Sequence, residues 1–180
     1  MLFRSERLLL VAVTLAVPAA LWMAFVVAPT EGKMGVVQRI FYFHVTSGWI
    51  AYLGFLLSGF ASLAYLASRN PKWDRWAVSS AEIGVVYCSV VLVTGPIWAK
   101  PVWGIWWTWD ARLTSTLVLW LIFVSYLMLR GFLEESTRRA TISAVLSIIG
   151  CLDAFISYIS IWLWRTQHPQ PVIGDRKSVV

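Results

Sequence analysis

Apolar residues in this chain come in five long blocks, joined by short stretches that hold nearly all of the charge, proline and polar side chains. A bilayer core about 30 Å thick needs about 20 apolar residues in a helix to cross it. Residues 8–28 meet that need without a single charge. Arg4 and Arg7 in front of them raise the possibility of a secretory signal, but the apolar run exceeds the roughly 7–15 residues of a signal core. The block is therefore expected to be a retained first span, with Pro18 tolerated inside it. Residues 40–68 carry no Asp, Glu, Lys or Arg and would measure about 43 Å as a helix, too long for the hydrocarbon alone. The crossing part is placed at about 46–68, so that the stretch around 40–48, with His44, protrudes at one membrane face. The remaining spans are expected at about 77–95, 113–129 and 141–161.

Composition supports the same class. Hydrophobic residues make up 59% of the 180 positions and charged residues 13%, the mean hydropathy is +0.71, and 12 residues are Trp. A soluble core of this size cannot hide so much apolar surface. The net charge of +6 does not indicate a nucleic-acid binder, because the basic residues sit at the ends of the apolar blocks rather than forming a stripe. Cys88 and Cys151 lie far apart inside apolar blocks, with no spacing that indicates a redox pair or a zinc site. No nucleophile elbow, phosphate loop or metal-binding helix motif is present, so no catalytic residue is assigned. The expectation is an all-α, polytopic transmembrane helix bundle forming one domain over 1–180.

Orientation follows from the joints. Arg4, Arg7, Arg69, Lys72, Arg75, Arg130, Arg138 and Arg139 fall on one side, against seven basic residues on the other. The small excess places the N-terminus in the cytoplasm, and five spans then put the C-terminus outside.

The joint of residues 96–112 is the most unusual part of the chain. Trp98, Trp103, Trp106, Trp107 and Trp109 fall within thirteen residues. Gly95, Pro96, Pro101 and Gly104 are expected to forbid one continuous helix through 95–104. A short helix starting near Pro101 would put Trp103, Trp106, Trp107 and Asp110 on one face, giving a flat shelf of indoles. Such a shelf suits a large planar apolar ligand. An aromatic belt at the membrane interface is the plainer reading. His44 and His168 are the only histidines in the chain. Each is separated from the Trp joint by an even number of crossings, so parity puts all three on one face whichever way the chain inserts. Neutral imidazole is a common axial ligand of haem iron, although a single histidine at a helix end is more often structural. Arg112, Lys100, Arg165 and Arg39 on the same side could meet propionates or simply snorkel. Two acids lie within spans. Asp153 is expected to hydrogen-bond a Ser, Thr or Tyr across a helix interface, and Glu82 to lie close enough to the cytoplasmic face to reach water.

The run WGIWWTWDARLTS (103–115) resembles the tryptophan-rich WWD domain of the membrane proteins that handle haem in cytochrome c maturation. The resemblance continues through TGPIWAKPVW (94–103), QRIFYFHV (38–45) and SIWLWRTQH (160–168), and so covers about residues 36–168. The absence of further histidines favours the small CcmC-type haem exporter over the larger CcsA/ResC and CcmF relatives, which carry a second haem site. By resemblance, haem b is the transported ligand. It lies at the outer face of the cell inner membrane, with His44 and His168 as axial iron ligands and Trp98, Trp103, Trp106, Trp107, Trp109, Asp110 and Arg112 around it. The implied partners are an ABC-type ATPase with its membrane subunits and a membrane-anchored haem chaperone. The alternative within the family is part of a CcsA-like synthetase that attaches haem itself. The chain departs from the family in three places. Thr46 stands where a proline is usual, which suggests a looser turn after His44. Asp153 stands where an amide is usual, and a sixth span is usual where five are seen.

Overall fold

The computed structural model describes residues 4–168. Among them are five helices long and apolar enough to cross a membrane. Helix α1 spans Arg4–Trp22 and continues into a π-helical turn, Met23–Val27; a 3-10 turn, Val36–Gln38, leads into α2, Arg39–Ser68. Helices α3 (Pro71–Trp103), α4 (Ala111–Phe132) and α5 (Ser136–Leu163) complete the order. No strand is formed by the described residues beyond an isolated bridge between Glu31 and Gly35.

Helices α2 to α5 form a ring in which α2 packs on α3 and α5, and α4 packs on α3 and α5. The seams are built from small residues. On α2 the buried positions include Ser47, Ala51, Gly54, Ser58, Ala61 and Tyr65, alternating by four and three. On α5 they include Ala140, Ser143, Ser147, Gly150, Ala154, Ser157 and Ile161, with the same rhythm. A 3.5-residue repeat keeps one seam facing its neighbour along a left-handed crossing. Small side chains let backbones approach where lipid offers no hydrophobic contrast. Hydroxyls tie the seams together, as in Ser58 Oγ to Ser147 Oγ at 2.8 Å and Tyr52 Oη to Ser157 Oγ at 2.9 Å. At the centre, the Phe55 and Phe123 rings stack at 4.2 Å between centroids, and both are fully buried.

Helix α1 stands apart. None of its residues is buried, and it joins the bundle through the π-turn. There the Phe25 carbonyl accepts a bond from Arg39, and the Phe25 ring stacks on Phe43. The two ends of the ring differ in chemistry. One carries a two-pronged ion pair in which Arg130 donates to both carboxylate oxygens of Asp74, each at 2.8 Å. The other carries both histidines and the Trp-rich segment.

Several expectations are corrected. Helix α3 runs without a break through Gly95, Pro96 and Pro101 to Trp103. A proline removes one N–H and so frees one carbonyl, a loss that membrane helices tolerate where neighbours and local adjustments compensate. Gly104 ends α3, taking the left-handed conformation at φ 78° while its N–H bonds the Lys100 carbonyl. No short helix follows; residues 105–110 are irregular. Thr46 loosens nothing, because α2 is continuous and the Thr46 hydroxyl donates to backbone carbonyls of the preceding turn. Asp153 makes no inter-helix hydrogen bond among the described residues, and its Oδ2 is sealed without a partner. Ser157, one turn further along α5, is already engaged with both Tyr52 and Thr116. Glu82 is exposed on the surface of α3.

Candidate functional site

The α2–α3 hairpin starts and ends at the same membrane level, which brings the second turn of α2 against the later turns of α3. His44 lies there, half-buried, with Nδ1 3.0 Å from Thr94 Oγ1. Thr94 Oγ1 is also 2.7 Å from the Val90 carbonyl oxygen. Beside them, Gly95 gives the imidazole room, since a Cβ at that position would come within 3.3 Å of His44 Cε1. His168 reaches the same end of the bundle from beyond α5, where the backbone N–H of its neighbour Gln167 bonds Asp110.

Asp110 organises the segment between α3 and α4. Its Oδ1 accepts the Leu113 N–H at 3.0 Å and caps α4. Its Oδ2 accepts the Thr108 hydroxyl at 2.8 Å and the backbone N–H of Gln167 at 3.3 Å. One carboxylate therefore holds the Trp segment, the start of α4 and the residue next to His168. Asp110→Ala is expected to lower stability by about 1 kcal/mol through the lost cap. Asp110→Asn, which keeps an acceptor, should lose less, as read from thermal unfolding of the purified protein in detergent. An equal loss in both variants would show that the negative charge matters rather than the capping bond.

Arg112 is committed to the bundle. It donates to the Ser157 carbonyl of α5 and lies over the Tyr52 ring of α2, 5.4 Å from its centroid. Lys100 donates to the Gly104 carbonyl at 2.9 Å and sits over Trp106. Arg39 holds the π-turn, as described. Arg165 is exposed and lines an open cavity of about 510 Å³ together with Trp162, Trp164, Thr166 and His168.

The indoles do not form the flat shelf expected from the sequence. Trp98 and Trp103 meet edge to face at 5.0 Å, as do Trp107 and Trp109 at 5.8 Å. Edge-to-face contact places the positive ring edge on the negative face of its partner and is favoured over direct sandwiching. Trp98 and Trp103 sit on the last turns of α3, whereas Trp106, Trp107 and Trp109 lie in the irregular segment after Gly104, so the five rings share no single helical face. Trp106 and Trp109 remain open, at 57% and 76% exposure. The indole N–H groups of Trp98 and Trp107 are sealed from solvent and have no acceptor among the described residues.

Both histidines, all five Trp residues, Asp110 and Arg112 thus lie at one end of the bundle, as the order of the spans predicts. Thr94, Gly95, Gln167 and the Tyr52–Ser157 pair join them there without having been singled out by any sequence signal of their own. Thr94 was findable: it lies at the end of α3 that parity places level with His44, and a ring nitrogen facing another helix needs a partner.

A sequence model of the family described as Heme exporter protein C matches residues 3–178. Among curated relatives, Heme exporter protein C of Bradyrhizobium diazoefficiens is 34% identical over 141 residues, covering 78% of this chain and 54% of the relative. Heme exporter protein C of Escherichia coli (strain K12) is 36% identical over 146 residues, covering 78% and 58%. The putative cytochrome c biosynthesis ccmC-like mitochondrial protein of Marchantia polymorpha is 31% identical over 173 residues, covering 96% and 73%. The chain spans about half to three quarters of the length of these relatives. With the all-helical fold and the WWD run in place, a match over nearly the whole sequence means that the chain belongs to the Heme exporter protein C family.

Proposed function

We propose that this chain is a haem-binding membrane subunit of cytochrome c maturation, which holds haem b at the outer face of the inner membrane and passes it to a membrane-anchored haem chaperone. The observation that carries the reading is that the chain's only two histidines lie at one end of the bundle, His44 against Thr94 of α3 and His168 next to Gln167, whose backbone is bonded to Asp110 of the Trp segment. Haem is the cargo, and its iron accepts two neutral imidazoles. The residues present suit such a ligand. The Nδ1 of His44 is occupied by Thr94, which leaves Nε2 for a metal. Trp106 and Trp109 expose indole faces for the macrocycle. Arg165 is an exposed cation beside His168, and the orphaned N–H groups of Trp98 and Trp107 are donors that a carboxylate could satisfy. Arg112 is already engaged, so its part in this reading is to hold α2, α4 and α5 together beneath the site.

The work is capture and release rather than bond-making in the cargo, so the role is that of a transport and delivery subunit. An ABC-type ATPase and its membrane subunits would act beside it. The test is the absorption spectrum of the full chain purified in detergent after haem-replete expression. A Soret band with the sharp visible bands of low-spin, six-coordinate haem is expected, altered by His44→Ala and by His168→Ala individually. A colourless protein, or a spectrum indifferent to both substitutions, overturns the proposal.

A further inference from the structure

We propose that Thr94 is the positioning residue that fixes the tautomer of His44, putting the proton on Nδ1 and turning Nε2 into the free electron-pair donor. The proposal deepens the haem-binding reading and rests on it for the identity of the metal.

The hydrogen-bond roles follow from counting protons. A threonine hydroxyl has one. Thr94 Oγ1 lies 2.7 Å from the Val90 carbonyl oxygen, and a carbonyl can only accept, so the proton points there. Toward His44, at 3.0 Å, the hydroxyl can then only accept. Nδ1 must therefore carry a hydrogen, and in a neutral imidazole the other nitrogen must not. An imidazole free in water prefers the opposite tautomer, with the proton on Nε2. The α2–α3 contact thus selects the form with its lone pair on the less hindered nitrogen.

Two further features make the arrangement specific. The first is steric: the missing Cβ of Gly95 leaves space against His44 Cε1, so the residue following Thr94 lets the ring come close enough to bond. The second is the chemistry of the acceptor. Metal-bound histidines commonly donate their other N–H to a carboxylate or carbonyl, which orients the ring and raises its basicity. Here the acceptor is a neutral hydroxyl that has already spent its proton. It orients the ring through a weaker bond than a carboxylate would make, and it adds little donor strength. A ligand that must let go of its iron gains from that combination.

Donation from a Thr hydroxyl to the carbonyl one turn back is also a common habit of helices. On that plainer view, Thr94 serves only α3, and the state of His44 is indifferent to it. Imidazole ¹⁵N NMR of the apo full chain in detergent separates the two. With only two histidines in the chain, His168→Ala leaves His44 alone in the spectrum. We expect the proton on Nδ1 in the parent and in Thr94→Ser, and a shift toward the Nε2-protonated form in Thr94→Val. Nε2 protonation in the parent protein overturns the proposal without need of any variant, as does an unchanged tautomer in folded Thr94→Val. A titration with iron protoporphyrin IX provides the second measurement. Thr94→Val is expected to weaken binding by about 10–100-fold, as loss of an orienting partner generally does, and Thr94→Ser to restore it. Should the tautomer shift as expected while neither Thr94→Val nor His44→Ala changes porphyrin binding, the haem-ligand reading fails and the tautomer assignment stands.

Discussion

Replacing His44 and His168 together by Ala is expected to abolish haem retention, whereas each single substitution leaves an altered, weaker complex. Bis-histidine ligation places half of the iron's protein bonds on each imidazole. The loss of one leaves a site in which the Trp faces and the remaining ligand still hold the porphyrin. The loss of both leaves no bond to the iron, only the polar contacts to the carboxylates and stacking worth about 0.5–1.5 kcal/mol per aromatic pair beyond area burial, too little to retain haem through purification. The fold should survive. Neither histidine belongs to the buried seams, and the cap by Asp110, the Arg112 bond to Ser157 and the small-residue contacts remain in place. The measurement is haem content per protein together with the thermal unfolding midpoint. Full haem content in a well-folded double variant would remove histidine from the site altogether. Loss of haem with an unchanged midpoint is the expected result.

Gly54→Leu is expected to destroy the folded protein, and Gly54→Ala to weaken it. A Cβ on Gly54 would lie 2.8 Å from the Ser80 carbonyl oxygen and 3.0 Å from both Cα and N of Gly84. These are backbone atoms of α3, which cannot swing aside as a side-chain tip can. Overpacking of a close-fitting interior usually costs about 1–3 kcal/mol. Here the only relief is to part α2 from α3, which form the most extensive helix pair in the bundle and hold His44 against Thr94. Gly131→Ala is the matched control: it lies near the end of α4 with nothing within 4 Å of the added carbon. It should be neutral, or stabilising by a few tenths up to about 1 kcal/mol through the loss of glycine's freedom in a helix. Size-exclusion profiles and unfolding midpoints in detergent compare the three. A monodisperse Gly54→Leu protein with the midpoint of the parent would show that the α2–α3 contact is looser than its distances indicate.

Much of this architecture could be read before any coordinates. Five blocks of apolar residues, each long enough for a bilayer, force five helices, because a backbone in lipid must satisfy its own hydrogen bonds. The parity of crossings then puts His44, His168 and the five Trp residues on one face, a topological result that needs no geometry. Where sequence reasoning fell short, it applied local rules to places governed by surroundings. Pro96 and Pro101 mark a break in a soluble helix, yet α3 passes through both, since each proline frees only one carbonyl, whereas ending the helix would free a whole turn of backbone groups. The depth of Asp153 in its span predicts a hydroxyl partner across a helix interface. Depth does not reveal that Ser157, the nearest candidate along α5, is already shared by Tyr52 and Thr116.

The one-dimensional pattern of the chain therefore determined its class, its number of crossings and the face on which its unusual residues gather, because each depends on length and hydrophobicity summed along the chain. Tertiary packing alone decided how those residues are held. The tautomer of His44 depends on a hydroxyl fifty positions away. The edge-to-face set of Trp107 on Trp109 depends on where α3 stops, and the commitment of Arg112 to Tyr52 and Ser157 depends on three helices meeting. Such contacts depend on distances of a few tenths of an ångström between segments remote in sequence, and no local pattern encodes them.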